Sequence, residues 1–126
     1  MGSQEDMNFI YWFWLLVAGH CIADTTFQTD FMARGKNRHG VIDLSRVPKG
    51  QKPIRLWWMW LMHHAMVHGL IIYLLTGRPL LGMIETASHW IIDFGKCENW
   101  YNPYIDQLLH ISMKVIYVIV ITRGII

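Results

Sequence analysis

Four pairs of histidine and aspartate stand four residues apart in this chain: His20/Asp24, His64/His68, His89/Asp93 and Asp106/His110. On a helix, residues at i and i+4 lie one above the other, with Cβ atoms about 5–6 Å apart. Each pair can therefore present two donors to one cation from a single helix face. Imidazole with carboxylate suits zinc, and also iron or manganese; the paired cysteines of a structural zinc knuckle are missing. Zinc usually takes three or four protein ligands, so five imidazoles and three carboxylates suffice for two divalent ions, with some in supporting positions.

The neighbours of the pairs extend the chemistry. Glu85 lies one turn before His89, Gln28 one turn beyond Asp24, and Lys96 and Gln107 follow closely on Asp93 and Asp106. Glu85 is expected to act as a general base or to orient the His89 ring. Lys96 is expected to hold a substrate phosphate; the bland alternative is snorkelling to lipid headgroups. A single such pair is more often a packing or hydrogen-bonding pair, contributing about 0.6 kcal/mol between membrane helices. Four pairs at one depth favour a metal centre. His63 falls about 100° round the helix from His64, and His39 and Asp30 are read as solvated.

The segments that must position these pairs are apolar. The chain is 53% hydrophobic and 16% charged, against about a quarter charged in soluble domains. Leu56 to Leu75 contains no Asp, Glu, Lys or Arg, and about 20 apolar residues span a bilayer core. The sequence therefore predicts an all-α fold: a four-helix transmembrane bundle around a buried His/Asp metal site, forming one domain over residues 1–126. Helices are expected at about 7–32, 54–76, 79–96 and 104–122. Gly77, Pro79 and Pro103 punctuate them. Residues 34–53 form a basic loop, with room for a short amphipathic piece at 41–47. Trp57, Trp58 and Trp60 fit an interfacial aromatic belt. The acidic start argues against a cleaved signal peptide. Cys21 and Cys97 set no disulfide framework and are read as small packing residues.

Seven of the eleven Lys and Arg fall between Arg34 and Arg55, beside one acid, Asp43. Under the positive-inside rule that loop is cytoplasmic, which makes the chain a multi-pass protein of the inner membrane. The loop lacks aromatic residues for base stacking, so nucleic acid is not an expected partner. With the loop cytoplasmic and a rise of about 1.5 Å per residue, all four pairs can meet in the cytoplasmic half of the bilayer. Homo-oligomerisation stays open.

The runs His20-Cys-Ile-Ala-Asp24-Thr-Thr-Phe-Gln28, His64-x3-His68, His89-Trp-Ile-Ile-Asp93-x2-Lys96 and Asp106-Gln107-x2-His110 resemble domain of unknown function 3307, a family of small bacterial and phage membrane proteins. The resemblance spans essentially the whole chain. It implies a shared site and carries no established activity. The His-x3-Asp element is also similar, more distantly, to membrane-bound metal-dependent hydrolases.

Three functions compete. The first is a membrane-embedded metal-dependent hydrolase acting on a phosphate-bearing or lipid-headgroup substrate from the cytoplasmic side. Its ligands would be His20, Asp24, His64, His68, His89, Asp93, Asp106 and His110, with Glu85 or an uncommitted Asp as base. The second is a metal or proton transporter, which should carry polar groups along its full depth; the outer halves of segments one and two are almost purely apolar. The third is a non-catalytic phage membrane interaction protein with a structural metal.

Overall fold

Ser3 opens the first helix. Its Oγ accepts a hydrogen bond from the Asp6 amide at 3.2 Å, and the Asp6 carboxylate accepts one from the Ser3 amide at 2.9 Å. This reciprocal box satisfies two of the amide donors that a helix start leaves free. The structure, a computed structural model, describes residues 3–126; Met1 and Gly2 of the expected domain lie outside the described residues.

Helix α1 runs Gln4–Thr25 and stops there instead of continuing to about residue 32. Thr29 accounts for the break. Its Oγ1 accepts from the Met32 amide at 3.2 Å and starts a separate short helix, α2, Asp30–Gly35. A threonine hydroxyl bonded to local backbone competes with helix continuation. The basic loop that follows contains one 3-10 turn, Leu44–Arg46, capped by Asp43. Helix α3 covers Trp57–Thr76 and ends at Gly77, whose φ of 67° is the left-handed conformation glycine adopts without strain. Helix α4, Pro79–Cys97, begins with proline at its first turn. So does α5, Pro103–Thr122, which Asn102 also caps through the Ile105 amide at 3.0 Å.

No strand occurs among the described residues. Helix α1 packs on α3 and α5, α4 packs on the same two, and α2 lies on α3. The four long helices thus surround a common interior. The tightest approach is between α3 and α4. A Cβ at Gly69 would stand 2.5 Å from the Gly82 carbonyl oxygen, and one at Gly82 would stand 2.7 Å from that of Gly69. Close backbone contact of this kind needs small residues on both helices.

Two of the four long helices, α3 and α5, are long and apolar enough to cross a membrane. Helix α1 carries Asp24, and α4 carries Glu85, Asp93 and Lys96. The interior changes character along its length. One end is apolar: Leu16, Ile72, Leu81, Tyr117, Val118 and Ile121 form a buried cluster. The other end is polar. Both cysteines are free; Cys97 is buried, whereas Cys21 is exposed. Cys21 is turned about 100° from the inward His20.

Candidate metal centre

The polar end of the interior holds five histidines from four helices: His20 of α1, His64 and His68 of α3, His89 of α4 and His110 of α5, all buried. The rings of His68 and His89 stack at 3.6 Å, those of His89 and His110 at 4.1 Å, and His20 lies 4.9 Å from His68. The Gly69/Gly82 contact brings α3 and α4 close enough for the His68 and His89 rings to stack, since Gly69 adjoins His68 and Gly82 lies one turn before Glu85.

Three overlapping sets of donors come within ion-binding reach of one another. They are Asp24, His64, His68 and His89; His20, His68, Glu85 and His89; and His89, Asp93 and His110. In the first set, Asp24 Oδ1 lies 3.1 Å from His68 Nε2 and 3.4 Å from His64 Nε2. Asp93 Oδ2 stands beside it, 3.4 Å from His64 Nε2 and 3.8 Å from His89 Nε2. Tetrahedral bonds of about 2.0–2.1 Å place ligand atoms about 3.4 Å apart, so these spacings fit a zinc-sized ion. A second observation supports the fit. His64 Nε2 and His89 Nε2 are buried and make no hydrogen bond among the described residues, although buried ring nitrogens are normally partnered.

Other residues hold these donors in place. Glu85 sits behind the two stacked rings, with Oε1 3.4 Å from His89 Nδ1 and 4.0 Å from His68 Nδ1. A carboxylate on the far nitrogen of a ligating imidazole fixes its tautomer and orientation. His20 Nε2 lies 3.3 Å from Asp24 Oδ2 and 3.3 Å from Gln107 Oε1. His110 Nε2 lies 3.2 Å from Asp93 Oδ1. Asp106 falls outside all three donor sets. It stands at the first turn of α5, where its Oδ2 accepts from Lys96 Nζ at 2.9 Å and its Oδ1 lies 3.6 Å from His110 Nε2.

The spacing of the His/Asp pairs did not reveal two lysines. Lys36 belongs to the segment read as a basic loop, yet it is buried. Its ammonium donates to Gln28 Oε1 at 2.6 Å and to Asp93 Oδ2. Nothing in the spacing places it there, because it arrives by the fold of α2 onto α3. Lys114 is also buried and donates to Glu85 Oε1 at 2.5 Å. It continues the Asp106–His110 spacing by one more turn, a signal that could have found it.

The cluster reaches solvent at one end. The Asp24 and Lys96 side chains are 25% and 28% exposed, and Gln107 bridges Asp24 and Asp106. Outside this mouth the basic loop is fastened to the end of α4. Arg38 pairs with both oxygens of Glu98 at 2.6 and 2.8 Å, and its guanidinium lies 5.6 Å from the Phe94 ring. The Arg38 hydrogen bonds hold the Glu98 carboxyl below its usual range. The exposed His39 joins the same carboxylate at 3.1 Å. His63 is exposed and packs edge-on against Trp60.

Residues 12–125 match the model of one protein family, described as a protein of unknown function (DUF3307). No curated protein and no solved structure matches the chain.

Proposed function

We propose that this chain, which belongs to the DUF3307 family, is a multi-pass membrane protein and a metal-dependent hydrolase of phosphate-bearing or lipid-headgroup substrates. The membrane part of this reading draws on an inverted distribution of polarity. Trp14, Leu74, Met83 and Ile91 are each more than 60% exposed, whereas His64, Glu85, His89 and Asp93 are 1% exposed. Large exposed apolar surface is what a lipid-facing exterior requires. The inner-membrane placement, with residues 34–55 cytoplasmic, draws on the seven basic residues of that loop.

The observation that carries the catalytic reading is the convergence of the unpartnered His64 and His89 nitrogens on Asp24 and Asp93, next to a mouth that contains Lys96. Asp24, His64, His68 and His89 would hold a divalent ion, zinc by preference, with iron or manganese also compatible. Such an ion lowers the pKa of bound water and polarises a phosphoryl oxygen. Glu85 orients His89 and faces His68. His20 and Gln107 steady Asp24, and His110 steadies Asp93. Lys96 holds substrate phosphate at the mouth. Asp106 suits proton acceptance better than Glu85. Each has one buried oxygen without a hydrogen bond, but Asp106 stands beside Lys96 at the mouth, whereas Glu85 lies at the deep wall against Lys114.

A structural metal in a non-catalytic membrane interaction protein is a second reading, favoured by how deeply the histidines are buried. Transport has less support, because Leu16, Ile72 and Val118 close the far end at 0–1% exposure. Metal analysis of detergent-purified protein is the first test. Wild type should retain a divalent metal, and His64→Ala should lose it. Hydrolysis of a generic phosphomonoester or of vesicle phospholipids should then require the metal and fall at least tenfold in Lys96→Met. Metal retained by a folded His64→Ala protein would sink the metal centre. Metal with no hydrolysis of either substrate class would leave the structural reading.

A further inference from the structure

The three donor sets are not independent. His89 belongs to all of them, and His68 to both four-membered ones. Two ions bound together would either share these imidazoles, through Nε2 on one side and Nδ1 on the other, or divide the donors into Asp24, His64 and His68 and His89, Asp93 and His110, where the Lys36 and Lys96 ammonium groups already pair with Asp93. The Nδ1 side already faces Glu85, and a cation is already present there. Lys114 Nζ stands 2.5 Å from Glu85 Oε1, and both side chains are 1% exposed. The Tyr117 ring lies 5.7 Å from the same ammonium, and the Tyr117 hydroxyl is 3.3 Å from Ser88 Oγ. Lys114 is thus walled in on the apolar side.

We propose that the cluster takes a single divalent ion, framed by Asp24, His64, His68 and His89, and that the Lys114 ammonium permanently fills the place of a second. This inference rests on the metal-centre reading above and sets its stoichiometry and charge. The cluster contains four carboxylates, of Asp24, Glu85, Asp93 and Asp106, and three ammonium groups, of Lys36, Lys96 and Lys114. One divalent ion turns the single negative excess into a single positive one, which an anionic substrate at the mouth offsets. Two ions would leave an excess of three positive charges in a cluster that is buried apart from its mouth, and buried unpaired charge is strongly disfavoured. Lys114 thus takes the electrostatic part of the absent ion. It neutralises Glu85 without drawing it away from the His89 and His68 rings.

Metal stoichiometry tests this without reference to activity. Metal-free protein in detergent is titrated with Co2+, following visible absorption and the bound metal by mass spectrometry. Wild type is expected to saturate at one equivalent per chain, as is Lys114→Arg, which keeps the cation. Lys114→Glu makes the cluster more negative by two charges and is expected to saturate at two equivalents. Its Mn2+ form should then give a magnetically coupled paramagnetic resonance signal that wild type lacks. Two equivalents in wild type would overturn the single-ion proposal and leave the metal centre intact. None in wild type would remove the metal centre itself, and the inference with it. One equivalent in folded Lys114→Glu would overturn the role given to Lys114. Where Lys114→Glu does not fold, Lys114→Gln decides: a weak second Co2+ equivalent supports the proposal, and its absence overturns it.

Discussion

The two ends of the bundle interior are built on the same four helices and are held together by different physics. At one end Leu16, Ile72, Leu81, Tyr117, Val118 and Ile121 interlock by shape. At the other, His20, His64, His68, Glu85, His89, Asp93, His110 and Lys114 meet through hydrogen bonds and ion pairs. Each helix crosses from one regime to the other within a turn: Leu16 to His20, His68 to Ile72, Leu81 to Glu85, Lys114 to Val118. The apolar end depends on fit but on no donor–acceptor angle, since dispersion and burial are nearly non-directional. The polar end is directional, and each member removed strands a partner in a medium that cannot solvate it. The apolar end therefore supplies tolerance, and the polar end supplies specificity together with vulnerability.

The largest expected effect belongs to the polar end. Lys114→Met leaves Glu85 as an unpaired buried carboxylate, and chemical denaturation of metal-free protein in detergent should show a loss of about 3–5 kcal/mol. Leu16→Ala tests the apolar end, where about 2–5 kcal/mol is expected from lost burial and the residual cavity. Only the polar variant should be rescued by adding Glu85→Gln; equal rescue of both would erase the contrast. Third, zinc at about 100 times its dissociation constant should add about 2.7 kcal/mol of stability. Hydrogen exchange should slow at Glu85–Lys96 and Pro103–Lys114 and stay unchanged at Ile116–Thr122. Slowing spread evenly over α5 would mean the two ends are one cooperative unit.

Smaller effects refine the picture. Glu85→Gln keeps the shape and weakens the hold on His89, so zinc affinity should fall about 10–100-fold by competition with a chelator. An unchanged affinity would show that the two stacked rings need no carboxylate behind them. The smallest effect concerns the loop. Arg38 keeps the folded-state carboxyl of Glu98 below its usual range. Its contribution is therefore present at neutral pH and is lost as pH falls through that lowered value. Proteolysis between Arg38 and Arg55 should quicken on acidification in wild type, and already at neutral pH in Arg38→Ala.

Much of this contrast can be read from the sequence, because the i, i+4 spacing that aligns His20 with Asp24 or His89 with Asp93 is a local property of helices. Gly77, Pro79 and Pro103 act locally too, and they mark where α3 ends and where α4 and α5 begin. The break after Thr25 escapes such reading. No glycine or proline marks it, and the cap by Thr29 depends on a side-chain rotamer. Lys36 is illegible for a different reason. Its burial depends on where α2 lands on α3, which no spacing encodes. Asp106 shows the limit of the pair rule. It shares a face with His110, yet its position one turn nearer the mouth turns its oxygens to Lys96 and to His110, outside the donor sets. Lys114 was within reach, one further turn along the same stripe.

The Gly69–Gly82 contact lies at the border between the two ends, one residue from His68 on α3 and one from Leu81 on α4. Two helices that touch backbone to backbone at one level can part only by pivoting there. The contact is thus a fulcrum. A splay of the Trp57 and Lys96 ends about it would displace His68, beside the pivot, least, and His64 and Asp93, nearer the mouth, more.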